Sequence, residues 1–162
     1  MQLKSIPVLA TLLLAGCASA PVSIDSVASQ TQSVNDPFQK LTWIIGPYVR
    51  YNDHKGYSGK MYLCQANGAG MAQFLLGVEN SSDDREIFTG AASITGDTLA
   101  VQPMGYTYDG DQYCAKVRVS LSKDLLTSSE ATGLTVRLYG QRRVLDVTIP
   151  GAYITGFLEK AR

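Results

Sequence analysis

Q-Y-C-A-K-V-R-V-S-L, residues 112–121, alternates apolar and polar side chains with the period of two that marks a half-buried β-strand. Tyr113, Ala115, Val117, Val119 and Leu121 fall on one face, and Cys114, Lys116, Arg118 and Ser120 fall on the other. Upstream, Asp109-Gly110-Asp111 is a turn, preceded by the strand patterns G-Y-T-Y (105–108), T-L-A-V-Q (98–102) and E-I-F-T-G-A-A-S-I (86–94). Still earlier come the polar loop tip N-S-S-D-D-R (80–85) and M-A-Q-F-L-L-G-V (71–78). The latter is a nearly continuous apolar run, which predicts a central strand or one covered on both faces. K-M-Y-L-C-Q-A (60–66), Y-V-R-Y (48–51) and L-T-W-I-I (41–45) complete this half, with breaks at N-D-H-K-G (52–56) and Gly46-Pro47.

Downstream, S-K-D-L-L-T-S-S-E-A-T-G (122–133) reads as a short interior helix. Ser122 caps it, Asp124 suits its positive end and Gly133 ends it. A hairpin follows, L-T-V-R-L-Y (134–139) and R-V-L-D-V-T-I (143–149) around Gly140-Gln141. Beyond Pro150, residues Tyr153, Ile154, Phe157 and Leu158 form the stripe of a C-terminal helix packed on the sheets. Many short strands divided by turns predict an all-β domain of about eight strands with two short helices. Its architecture is a β-sandwich, with a barrel as the alternative.

The 162-residue chain carries 14 basic and 14 acidic side chains, and only 17% of its residues are charged. So balanced a composition lacks the clustered basic excess of a nucleic-acid binder.

The N-terminus is organised differently. Lys4 is the only charge before an apolar stretch from Ile6 to Leu14, which is too short to span a bilayer core of about 20 helical residues. Leu14-Ala15-Gly16-Cys17 closes it with small residues and a cysteine. This motif resembles the lipobox of bacterial lipoproteins. The resemblance implies that residues 1–16 are a cleaved signal peptide and that Cys17 carries diacylglycerol, a membrane anchor with two chains. It also implies that Ala18, where an aspartate would favour retention at the inner membrane, directs the protein to the outer membrane, facing the periplasm, in a Gram-negative host. The competing reading is an ordinary secretory peptide cut after Ala18-Ser19-Ala20.

Residues 18–36, A-S-A-P-V-S-I-D-S-V-A-S-Q-T-Q-S-V-N-D, contain no aromatic side chain and few charges. Together with Cys17 they read as a flexible tether (17–36), about 25 Å end to end on average. The folded domain is then 37–162.

With Cys17 lipidated, Cys64 and Cys114 remain as an even pair in an oxidising compartment. A disulfide between them is expected, closing a loop of about fifty residues and contributing roughly 4 kcal/mol. It requires their strands to be neighbours or to meet at a sheet edge. Two reactive or metal-binding thiols are the rival reading, without a C-x-x-C spacing or a nearby histidine to support it.

A second resemblance concerns the domain. D-P-F-x-K-x-T (36–42) with Gly46-Pro47, the Tyr113-Cys114 strand running into V-S-L-S-K-D-L-L (119–126), and A-T-G-L-T-V-R-L-Y-G…V-T-I-P-G-A-Y-I-T-G-F-L (131–158) are similar to a group of uncharacterised bacterial lipoproteins. The resemblance implies shared architecture and brings no catalytic residue with it.

Candidate chemistry is sparse. His54 is the only histidine and sits in a turn, which leaves no multi-histidine metal site. G-Y-S-G-K (56–60) misses the G-x-S-x-G spacing of a hydrolase nucleophile. Asp109-Gly110-Asp111 lacks the later ligands of a calcium loop, and Asp83, Asp84 and Glu86 read as a solvated acidic tip. The expectation is a protein with no catalytic residue, no metal and no cofactor beyond the covalent lipid.

Aromatic and basic residues offer a binding surface instead. Tyr48, Tyr51, Tyr57, Tyr62, Tyr106, Tyr108, Tyr113 and Tyr139 stand in or beside strands, Tyr106 and Tyr108 share a face, and exposed tyrosines suit sugar stacking or a protein interface. Lys116, Arg118, Arg137, Arg142 and Arg143 read as a basic stripe on the polar faces of two strands and suit lipid headgroups or polyanionic glycans, although solvated strand faces account for them equally well. Tyr106, Tyr108, Arg118 and Arg137 are therefore the candidate surface. The expected function is a non-enzymatic interaction or assembly-support module, held to the membrane by its lipid and meeting an envelope protein. The alternative is a small-ligand or glycan-binding module.

Overall fold

In a computed structural model, which describes residues 22–53 and 55–161, the alternating stretch forms β9 (Gln112–Leu121). Ala115, Val117, Val119 and Leu121 are buried, and Lys116, Arg118 and Ser120 on the other side stay partly exposed. The chain runs α1 (Ile24–Gln30), β1 (Gln32–Asp36), β2 (Leu41–Ile45), β3 (Val49–Asn52), β4 (Ser58–Gly68), β5 (Met71–Ser82), β6 (Phe88–Ser93) and β7 (Thr98–Leu99). After these come β8 (Val101–Asp109), β9, α2 (Lys123–Ser128), β10 (Leu134–Gly140), β11 (Val144–Ile149) and α3 (Gly151–Lys160).

Seven strands make a large antiparallel sheet in the order β1-β2-β4-β5-β9-β8, with β3 also paired to β4. β2 meets residues 64–67 of β4 and β3 meets residues 58–61, so the break at Gly46-Pro47 divides one sheet edge between two short strands. Four strands make the small sheet, β11-β10-β6-β7. The two sheets face each other as an open sandwich and not as a closed barrel. Met61, Leu63, Leu76, Val78, Val117 and Val119 of the large sheet join Phe88, Val136, Leu138, Leu145, Val147 and Ile149 of the small one in a single core.

Among the described residues the strands number eleven, more than the eight expected, because pairing begins earlier in the chain and the 86–102 region divides between the two sheets. β7 ends in the small sheet at Leu99, and the chain re-enters the large sheet at Val101. A bulge between Pro103 and Tyr106 then lets one strand, β8, cover what reads in sequence as two.

The C-terminal stripe is buried as expected. Tyr153, Ile154 and Phe157 are fully enclosed, and Leu158 is nearly so. The Tyr153 hydroxyl donates to the Pro47 carbonyl at 2.6 Å and accepts from the Leu63 amide at 3.2 Å, which fixes α3 against the β2–β3 break.

Two expectations are corrected. From residue 22 to 36 the supposed tether is structured. Ser23 caps α1 by accepting from the Ser26 amide, Val27 is 1% exposed, and α1 packs on α3, where Gly156 leaves room for the Ile24 carbonyl and the Val27 side chain. β1 then pairs with β2 along its whole length.

The Cys64–Cys114 disulfide is also absent: both are free thiols. Cys64 stands opposite Leu75 of β5, and Cys114 stands opposite Ser81 on the far edge of the same strand. A whole strand separates them, with a further offset of about 20 Å along it. A disulfide needs Cα atoms within about 7 Å. Both thiols do lie on the outward side of the sheet, as the alternation implied; the inserted strand is what keeps them apart.

Candidate functional site

The outward face of the large sheet carries its polar side chains in rows that cross the strands. Arg50 of β3 is directly opposite Lys60 of β4, Lys60 is opposite Glu79 of β5, and Glu79 is opposite Lys116 of β9. Strands lie about 4.8 Å apart, so the four charges span roughly 14 Å. The next row holds Asn52, Ser58, Ser81, Cys114 and Thr107. Together they line a groove of about 650 Å³.

The charge balance in this row is uneven. Glu79 reaches the Lys116 ammonium at 3.8 Å. Among the described residues neither Arg50 nor Lys60 has a carboxylate within ion-pair distance. Like charges placed directly opposite across a strand pair destabilise the sheet. An anion bound between Arg50 and Lys60 would relieve that repulsion.

The row on the other side of the four charges carries aromatic rings. Tyr48, just before β3, packs on Tyr62 with ring centroids 4.6 Å apart. Tyr62 lies flat over Gly77 of β5, where any side chain would collide with its ring. Burial and the nearby Tyr62 and Glu79 oxygens hold the Tyr48 phenol above its usual pKa, so it stays neutral. Beyond Gly77, Arg118 carries its guanidinium 5.2 Å from the centre of the Trp43 ring, and its Nε is enclosed with no hydrogen-bond partner. Cys64 is buried in the same layer, and that burial pushes its thiol up to about 11 against a small opposing effect from Arg118.

The candidate residues named from the sequence do not form one surface. Arg118 belongs to this outward face. Arg137 is on β10 in the other sheet, where it makes a bidentate pair with Asp146 at 2.7 and 2.8 Å. Tyr106 and Tyr108 lie on the opposite side of β8, at a hairpin end, with both rings edge-on to Tyr113. Arg85 sits 4.1 Å over the Tyr106 ring. The expected combination therefore splits over three faces, because β8, β9 and β10 belong to different sheets or present opposite parities.

The basic stripe disperses for the same reason. Arg142 pairs with the exposed Asp84 at 3.1 Å, and Arg143 pairs with Glu86 at 3.2 Å. Glu86 is not part of a solvated tip. It is buried, and Oε1 accepts from the amides of Gln141 at 2.7 Å, Ile87 at 3.1 Å and Arg142 at 3.3 Å. Asp109-Gly110-Asp111 closes the β8–β9 hairpin with Gly110 at φ 59°. Among the described residues no three His, Cys, Asp or Glu side chains gather as a metal site. Cys17 and His54 lie outside the described residues.

Sequence reasoning missed Arg50, Lys60 and Glu79, and named Tyr48 and Tyr62 only within the tyrosine set, without their stacking on each other. Their parity was readable, since Tyr48, Arg50 and Asn52 alternate, as do Ser58, Lys60 and Tyr62. Their strand partners were not. The chain matches no family model, no curated protein and no solved structure.

Proposed function

We propose that this chain is an envelope lipoprotein anchored through diacylglycerol on Cys17, and that its sandwich is a non-enzymatic module binding another envelope component through the outward face of the large sheet. The lipobox supports the anchor, and Ala18 supports an outer-membrane position facing the periplasm in a Gram-negative host. The binding reading is carried by the row Arg50–Lys60–Glu79–Lys116, which places three cations against one carboxylate in a protein whose formal net charge is zero. Holding Arg50 and Lys60 opposite each other costs stability, and a negatively charged partner recovers it.

A photo-crosslinker at Ser58, on the groove's edge, tests this in the native envelope. A specific adduct is expected from the unaltered groove and is lost when Arg50→Glu and Lys60→Glu are combined. The same background adducts with and without those changes would overturn the binding reading. Mass analysis of the mature protein tests the anchor separately: an unacylated chain beginning at Pro21 would refute it.

A further inference from the structure

We infer that the groove's occupant is an anionic polysaccharide. This rests on the binding reading above and names its ligand class. The row supplies cations from three strands, spaced to meet acidic groups along an extended chain. The parallel row supplies the neutral donors and acceptors Asn52, Ser58, Ser81 and Thr107, which match hydroxyl groups.

A protein partner would need an apolar anchor at the centre of its interface. Among the described residues lining the groove there is no aliphatic or aromatic side chain. Apolar surface is found instead beside the groove's lining, where Tyr48, two residues before Arg50 on the same face, is 55% exposed. Its ring is backed by Tyr62, which rests on Gly77, so the platform is set before any ligand arrives. An exposed, rigid tyrosine presents a ring to the C–H face of a sugar and a hydroxyl to its oxygens. Tyr106 is less suited, since Arg85 already covers its face.

Titration of the full chain in detergent with polygalacturonate, dextran and polyglutamate tests the inference. Polygalacturonate is expected to bind, more weakly as salt rises, while dextran does not. Combining Arg50→Gln with Lys60→Gln should weaken binding by about tenfold or more, and Tyr48→Ala by about tenfold for polygalacturonate with no effect on polyglutamate. All three side chains are exposed, so a thermal midpoint no lower than the parent's shows that the variants fold, and relief of the Arg50–Lys60 repulsion raises it in the double variant.

Equal binding of polyglutamate, with Tyr48→Ala neutral, would overturn the glycan assignment and leave the binding module standing. So would a preference for phosphatidylglycerol over phosphatidylcholine vesicles that Arg50→Gln with Lys60→Gln removes. If the Arg50→Gln, Lys60→Gln variant binds every anionic probe as well as the parent does, both readings fail.

Discussion

Cys64 and Cys114 occupy the same outward side of the sheet but live in different surroundings. Cys64 is 1% exposed and its thiol is pushed up to about 11, whereas Cys114 lines the groove with partial exposure. A thiol reagent at neutral pH should therefore modify Cys114 in the folded protein and reach Cys64 only on unfolding, as counted by mass. Reducing agent should leave the melting temperature unchanged, which a Cys64–Cys114 bridge would not permit. The raised Cys64 value also fixes the sign of a pH effect. Between about pH 9 and 11 the unfolded thiol loses its proton while the folded one keeps it, so stability present at neutral pH declines across that window. Tyr51 and Tyr153, raised by burial as well, add to the decline at higher pH. Urea midpoints measured across this range should fall with pH, and the Cys64→Ala change should flatten the first part of the fall.

Within the elements, Glu86 ties the segment before β6 to the β10–β11 turn through one buried carboxylate. Removing it leaves Arg143 and three backbone amides without their acceptor. Glu86→Ala should cost about 3–5 kcal/mol in urea unfolding, with Glu86→Gln restoring part by keeping an acceptor for the amides. That role was hidden because Asp83-Asp84-Arg85-Glu86 is polar throughout, and only the fold separates the exposed Asp84 from the enclosed Glu86. The strands were more legible. Alternation in 112–121 and the apolar run 71–78 report directly how each strand is buried, and β5 is covered on both sides from Phe74 to Val78. Alternation assigns a face and is silent about the neighbour. The Cys64–Cys114 pairing failed on that point, as did the combination of Arg118 with Arg137. The cationic row draws on residues 50, 60, 79 and 116, and no local pattern joins them. For α1 the signals were present in Ser23 as a cap and Asp25 in the first turn, but Val27 and Ala28 are its only buried residues. So small an apolar contribution resembles a linker. Val27→Asp should nonetheless lower stability by several kcal/mol, since it places a charge in the core; a neutral result would return α1 to the status of a tether.

Across the whole molecule, the neutral total charge conceals an uneven distribution. Arg137, Arg142 and Arg143 are paired with Asp146, Asp84 and Glu86 around the small sheet and its loops, leaving the large sheet's outward face with the cationic excess. Binding through that face should weaken with ionic strength even though the protein carries almost no net charge. In cells, Cys17→Ser should move the protein from the membrane fraction to the soluble fraction without changing its unfolding midpoint, because Cys17 precedes every described element.

The order of α1 and β1 has a mechanical side. A chain held at Cys17 and pulled by a captured polymer feels tension at its N-terminus first. The load meets α1, seated on α3 by little more than Val27 and Ala28, and then β1, an edge strand joined to the sheet on one side only. Edge pairs tensioned from one end part in succession and not all at once. Residues 24–36 would thus pay out as slack, up to about 45 Å of extended chain, while the inner strands of the large sheet keep hold of the cargo. The segment that looks like a leash in the sequence is, on this account, a leash stored in folded form.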